Sequence, residues 1–200
     1  MRKKEPSPFL HFLKLNTFQL MNVVVYCSAN AGLPEEITSI ATALGQWIGE
    51  NWHSLVYGGV NAGLMHITAQ AALDAGCQNV VGIVPEFFQH RADPLCTKLV
   101  LASDLNDRKS RLISQGDVFV VLPGGLGTID EWISTLSTLV VKGSDRPIVV
   151  VNYNGMYAAQ AEQLRATAQS QFARAASIDR SILVNNSQEL INTLNEINKL

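Results

Sequence analysis

Asp117-Val118-Phe119-Val120-Val121-Leu122-Pro123-Gly124-Gly125-Leu126-Gly127-Thr128-Ile129-Asp130-Glu131 is the stretch on which the fold turns. Residues 117–122 form an apolar, β-branched run, the pattern of a strand buried on both faces of a parallel sheet. Residues 132–140 read as the helix that follows. Between them, Gly124, Gly125 and Gly127 let the backbone turn sharply and approach a ligand with no Cβ in the way. The N–H groups at the start of the helix, together with its dipole, suit such a turn to an anion. Thr128 adds a hydroxyl, and Glu131 adds a carboxylate one turn into the helix. A carboxylate does not help a simple phosphate grip, so its presence predicts chemistry beside the phosphate.

The same alternation extends to both sides. Apolar or β-branched runs at 22–27, 53–57, 79–84, 98–101, 147–151 and 182–184 predict further strands. Pro34 opens a helix whose stripe is Ile37, Ile40, Ala41, Leu44 and Ile48. Residues 67–75 are Ala-rich and helical, with Gly76 as their stop, and Asp104 caps a helix reaching about Gln115. Longer helices are predicted over 155–175 and 186–200, the last with Leu190, Leu194 and Ile197 on one face. Strands alternating with helices specify an α/β fold, a Rossmann-like, doubly wound, mainly parallel sheet with helices on both faces. Residues 21–200 read as one domain, and residues 1–20 as a flexible extension.

The composition excludes several classes. With 47% hydrophobic and 16% charged residues, the 200-residue chain is expected to fold around a sizeable core. A formal net charge of −2 gives no reason to expect nucleic acid or an anionic membrane as partner. No apolar run approaches the roughly 20 residues of a membrane-spanning helix. Cys27, Cys77 and Cys96 are odd in number and contain no CxxC pair, which argues against a disulfide framework or a zinc site and for reduced thiols in a cytoplasmic protein. Arg2-Lys3-Lys4 followed by the apolar 9–20 faintly mimics a signal peptide. Pro6, Pro8, His11 and Lys14 interrupt it, and no cleavage site follows.

Ligands of open parallel sheets bind beyond the C-terminal strand ends. Three loops with ligand-type residues fall there: 28–32, 58–65 and 123–128. Their coincidence predicts phosphate or nucleotide binding. Neither glycine loop is a Walker A sequence, and Asp130 breaks a GxGxxG match. Arg108, Lys109 and Arg111 make one helix basic, which is a solvated face on most helices and an anion site on some. Paired with Glu131, such a face offers a cation for charge stabilisation and a carboxylate for general-base or oxocarbenium chemistry. Spacing alone leaves both readings open. His53, His66 and His90 read as surface or packing residues, Trp47, Trp52, Trp132 and Tyr57 as packing, and Phe87 and Phe88 as packing or a lid.

Gly58-Gly59-Val60-Asn61-Ala62-Gly63-Leu64-Met65, Asp107-Arg108-Lys109 and Pro123-Gly124-Gly125-Leu126-Gly127-Thr128-Ile129-Asp130-Glu131, in this order, resemble the LOG ("lonely guy") family. These are cytokinin riboside 5′-monophosphate phosphoribohydrolases, long mislabelled as lysine decarboxylases. The resemblance implies a Rossmann-like fold, usually a homodimer, no metal and no organic cofactor. It also implies hydrolysis of the N-glycosidic bond of an adenosine-type 5′-monophosphate to free base and ribose 5-phosphate. Carried over, Arg108 and Glu131 are the catalytic pair. Lys109, Gly124, Gly125, Gly127 and Thr128 hold the nucleotide, while Ser28, Gly59, Gly63 and Met65 line the same pocket. Ser137 is a further substrate contact, at a position commonly Thr. The chain departs from the family pattern at Val60 and His66, which replace glycines, and at Leu105-Asn106 and Thr138-Leu139-Val140. In the loop after Pro85, where many members of the family have a Glu that contacts the ligand, no Glu stands clearly in place, and Asp93 is the nearest candidate. The alternative is a binding protein resembling molybdenum-cofactor carriers, which share this fold and similar glycine loops.

Overall fold

The computed structural model describes residues 20–170, 172 and 180–199. The expected N-terminal extension, apart from residue 20, lies outside them, as does the end of the helix expected over 155–175. The strands are β1 (Asn22–Tyr26), β2 (Ser54–Tyr57), β3 (Val80–Pro85), β4 (Lys98–Ala102), β5 (Val118–Val121), β6 (Ile148–Val151) and β7 (Ser181–Val184). They form a 7-stranded sheet in the order β4-β3-β2-β1-β5-β6-β7, every pairing parallel. Side chains alternate across each strand, so β1 sends Val23 and Val25 to one face and Val24 and Tyr26 to the other. The first face is covered by α1 (Glu35–Glu50), α2 (Gly63–Asp74) and α6 (Ser187–Ile197), the second by α3 (Leu105–Gln115), α4 (Leu126–Val141) and α5 (Ala158–Gln169). This is the doubly wound α/β arrangement that the alternation predicts. Cys27, Cys77 and Cys96 are free thiols. Among the described residues, no helix is long and apolar enough to cross a membrane.

Two helices start earlier than their sequence suggests. α2 begins at Gly63 rather than 67, and α4 at Leu126 rather than 132. Both starts absorb glycines that read as loop. The first-turn N–H groups of a helix have no intrahelical acceptor, so the ends tolerate residues that the interior does not. Pro34 is the cap before α1 rather than its first residue, with φ −54 and ψ 151. Asp104 caps α3 as expected, its carboxylate accepting the N–H groups of Asn106 and Asp107 at 2.7 and 2.9 Å.

The winding sets the place of the site. The chain runs outward from β1 to β4 on one side and from β5 to β7 on the other, so strand order reverses between β1 and β5. A crevice opens beyond the C-terminal ends of strands at such a switch. The two loops bordering it are tied together: Leu122 N–H donates to the Tyr26 carbonyl at 2.9 Å and Ser28 N–H to the Pro123 carbonyl at 3.1 Å.

α1 and α2 pack at backbone distance. A Cβ on Gly45 would sit 2.7 Å from Ala71 Cβ and 2.9 Å from the Ala72 nitrogen, and Gly49 meets Ala75 in the same way at 2.6 Å. In a solvated helix, Gly→Ala gains about 1 kcal/mol. Here overpacking against backbone costs about 1–3 kcal/mol and outweighs that gain. Gly45→Ala is therefore expected to lower the urea midpoint, with the slope of the transition unchanged.

Candidate active site

Arg108 stands in the first turn of α3, where the Asp104 cap fixes the helix start. Its guanidinium reaches inward: Nε donates to the Ile83 carbonyl on β3 at 3.0 Å, and Nη1 to Glu131 Oε1 at 2.7 Å. The two side chains are only 13% and 7% exposed. Gly58, at the end of β2, makes the space, because a Cβ there would run into Arg108 Nη2 and come within 2.9 Å of Met65 Cε. Burial raises the Glu131 pKa, and the charge and hydrogen bond of Arg108 oppose that rise without cancelling it. The α4 backbone at Glu131 is held as well. Thr135 Oγ1 donates to the Glu131 carbonyl at 2.7 Å and stands 2.9 Å from the Tyr26 hydroxyl, which therefore donates to it.

The glycine turn sits one helical turn away. Gly125 caps α4 in extended conformation, and Thr128 is buried beneath the turn, filling the space that a Cβ on Gly124 would need. A Cβ added at Gly125 or Gly127 would meet nothing within 4 Å. The outer rim of the turn thus faces open space, and the unpaired N–H groups of the first turn of α4 lie along it. Tyr157 anchors the turn from below, its hydroxyl donating to the Leu122 carbonyl at 3.0 Å.

The structure brings most of the candidate residues together and leaves some apart. Ser28 joins the loops, its N–H on Pro123 and its carbonyl accepting from Leu64 N–H at 3.0 Å. Gly59 and Gly63 have positive φ, +65 and +54, and each touches neighbouring backbone so closely that a Cβ is excluded. Met65 and the Arg108 guanidinium both border the space that a Cβ on Gly58 would fill. Lys109 turns to α4, where Nζ donates to Asp130 at 2.8 and 3.1 Å and holds that carboxyl below its ordinary range. Ser137 is exposed and lies about 120° around α4 from Glu131 by helix geometry. The basic cluster on α3, which spacing left as either a solvated face or an anion site, is divided: Arg108 is turned inward, Lys109 is paired with Asp130, and Arg111 with Asp107 at 2.8 Å. Shared helical spacing set these cations on one element, but each found its own carboxylate.

Two features escaped sequence reasoning. Gly58 belongs to the first glycine motif, yet its steric role depends on an arginine fifty residues further on. His66 read as a lone histidine, whereas its Nδ1 lies 3.1 Å from Asp93 Oδ2. The available signal for His66 was that it departs from the family pattern. Among the described residues, no group of three or more His, Cys, Asp or Glu is placed to hold a metal ion.

Known proteins resemble this chain in both sequence and shape. A family model described as "Possible lysine decarboxylase" matches residues 65–194. A "Probable cytokinin riboside 5′-monophosphate phosphoribohydrolase" of Oryza sativa subsp. japonica is 33% identical over 137 residues; the match covers 68% of this chain and 61% of that protein, so the chain spans about three-fifths of that relative's length. A cytokinin riboside 5′-monophosphate phosphoribohydrolase of Rhodococcoides fascians is 36% identical over 139 residues, covering 68% of this chain and 70% of that protein. Among solved structures, the molybdenum cofactor binding protein of the phototrophic bacterium Rippkaea orientalis superposes with a TM-score of 0.68 at 21% identity, covering 90% of this chain and 99% of that one; this likeness speaks to the fold alone. With the family model matched over 65–194 and more than 30% identity to relatives carrying the phosphoribohydrolase name, the chain belongs to the LOG family.

Proposed function

We propose that the protein hydrolyses the N-glycosidic bond of a purine nucleoside 5′-monophosphate, of AMP or cytokinin type, to free base and ribose 5-phosphate. The observation that carries this reading is the buried Glu131 carboxylate, bonded to Arg108 and one turn from an open, glycine-lined helix start. The N–H groups of that start hold the 5′-phosphate, and Thr128, buried beneath Gly124, holds the turn in shape for it. As the C1′–N bond breaks, its electron pair leaves with the base and positive charge develops on the ribose. Glu131, in surroundings of low dielectric, stabilises that charge. Water then bonds to C1′ and gives up one proton, and the departing base gains one. Arg108 keeps Glu131 in place and favours its ionised form. The phosphoribohydrolase names of the two relatives support the same reaction class.

A carrier of a phosphorylated ligand would account for the turn but not for the acid. Placing a buried carboxylate next to an anion site weakens the grip unless the carboxylate has work to do on the ligand. A decarboxylase using pyridoxal phosphate needs a lysine in its pocket. Among the described residues, Lys98, Lys142 and Lys199 are exposed and Lys109 is paired with Asp130.

Purified protein incubated with AMP or isopentenyl-AMP is expected to release free base on chromatography, and no release from any of several nucleotides would sink the proposal. Glu131→Gln is expected to lower kcat by about 10²–10⁴-fold, with inhibition by ribose 5-phosphate retained. Because Glu131 acts ionised and burial raises its pKa, kcat/KM rises with pH through a midpoint above the ordinary glutamate value of about 4.5. Gly58→Ala pushes the guanidinium off the carboxylate and removes a lowering influence. Its acid limb therefore moves to still higher pH, while Gly125→Ala, whose Cβ meets nothing, leaves the limb in place.

A further inference from the structure

A second ion pair joins α3 to α4 beside that of Arg108 and Glu131. The next residue of α3 meets the preceding residue of α4. Lys109 Nζ donates to Asp130 Oδ1 and Oδ2 at 3.1 and 2.8 Å, and to Ser134 Oγ at 3.4 Å. Ser134 donates its own hydroxyl to Asp130 Oδ1 at 3.2 Å, which closes a triangle of three side chains. An ammonium has three N–H donors and no acceptor. All three donors of Lys109 thus have acceptors on α4, and a phosphate oxygen would have to displace one of them. The family resemblance implies that Lys109 holds the nucleotide, but its donors are already engaged.

The two ion pairs are rungs between the same two helices. Successive residues of a helix point about 100° apart, so the rungs leave each helix in different directions. The Arg108–Glu131 rung is buried, whereas Lys109 and Asp130 are 21% and 57% exposed at the rim. A helix held by one rung can swivel about it, and a second rung in another direction stops the rotation. The outer rung acts where α4 is otherwise least held. Further along α4, Trp132 Nε1 donates to Ser181 Oγ at 3.0 Å and Thr135 is tied to Tyr26, but the first turn faces open space at Gly125 and Gly127. A partly exposed ion pair adds little to stability. Its effect on rate is larger, because a displacement of about 1 Å at a reacting group costs about 100-fold.

We propose that Lys109 is a positioning residue. Together with Asp130 it sets the rotation of α4 that presents Glu131 to the ribose, and it is not a ligand of the phosphate. The proposal rests on the hydrolase reading of the site.

The test measures kcat and KM for base release from AMP by the full chain, and the Kd of inorganic phosphate by equilibrium dialysis at about 0.15 M salt, where distant charges are screened. Lys109→Met and Asp130→Asn are each expected to lower kcat about 5-fold. The double variant loses no more than either single one, because the shared interaction is lost only once. Phosphate Kd and KM stay within about 3-fold of wild type throughout, well inside the loss of a charged hydrogen bond. A lysine that grips phosphate gives opposite signs: Lys109→Met weakens phosphate about 10-fold, and Asp130→Asn, which frees the ammonium, tightens it. That pattern would overturn the proposal. So would an unchanged kcat in both single variants, since a merely structural rung lowers the urea midpoint and leaves the rate of the folded enzyme unmoved. Failure of the hydrolase reading is seen separately, as a wild type that releases no base. The positioning role then falls with it, while the phosphate measurement still decides whether Lys109 is a ligand.

Discussion

The ion pair of Arg108 and Glu131 constrains most of what surrounds it. Two charges taken out of water cost several kcal/mol each, and their attraction offsets this only with good geometry and further hydrogen bonds. The structure supplies both. A rigid guanidinium fork gives Nη1 to Glu131 and Nε to the Ile83 carbonyl, which a lysine's single ammonium would not reproduce. Space for the fork comes from the missing side chain of Gly58, and its direction from a helix whose start Asp104 fixes. Four elements from distant parts of the chain, the end of β2, β3, α3 and α4, therefore have to meet within a fraction of an ångström. Removing one partner leaves a buried charge without compensation.

The sheet's topology supplies the meeting point. β1 and β5 lie side by side with their crossovers departing in opposite directions, so no helix covers the gap beyond their ends. Into that gap the chain places the glycine turn, backed by Thr128 and tied to Ser28. An anion at the start of α4 is favoured by the helix, while Glu131, buried below, would repel it were it not neutralised in part by Arg108. The two ends of the site are thus electrostatically opposed, the arrangement that the proposed hydrolysis of a nucleotide requires.

His66 and Asp93 illustrate how a departure from a family pattern is interpreted once its neighbours are visible. Each is unremarkable alone. Together they tie the start of α2 to the loop after β3 through a buried carboxylate. Ser137 and Arg111 show the converse, because both share an element with site residues and both are turned away from the site: Ser137 by helical phase and Arg111 by its bond to Asp107.

Composition and periodicity alone determined the parallel sheet, its two-sided helical cover and the three loops at the strand ends. The physical reason is that β-branched runs and apolar stripes are local patterns that the backbone geometry translates directly. The glycine turn with Glu131 one turn on was legible for the same reason, since phosphate-binding backbone and helix start are adjacent in sequence. The true starts of α2 and α4 were not, because glycine's permissiveness leaves its helical state to be settled by what packs against it. Only the tertiary structure decided which cation meets Glu131, why residue 58 must lack a Cβ, and that His66 has an acidic partner. Those outcomes rest on contacts between residues far apart in the chain, where sterics and ion pairing compare candidates that no local pattern can rank.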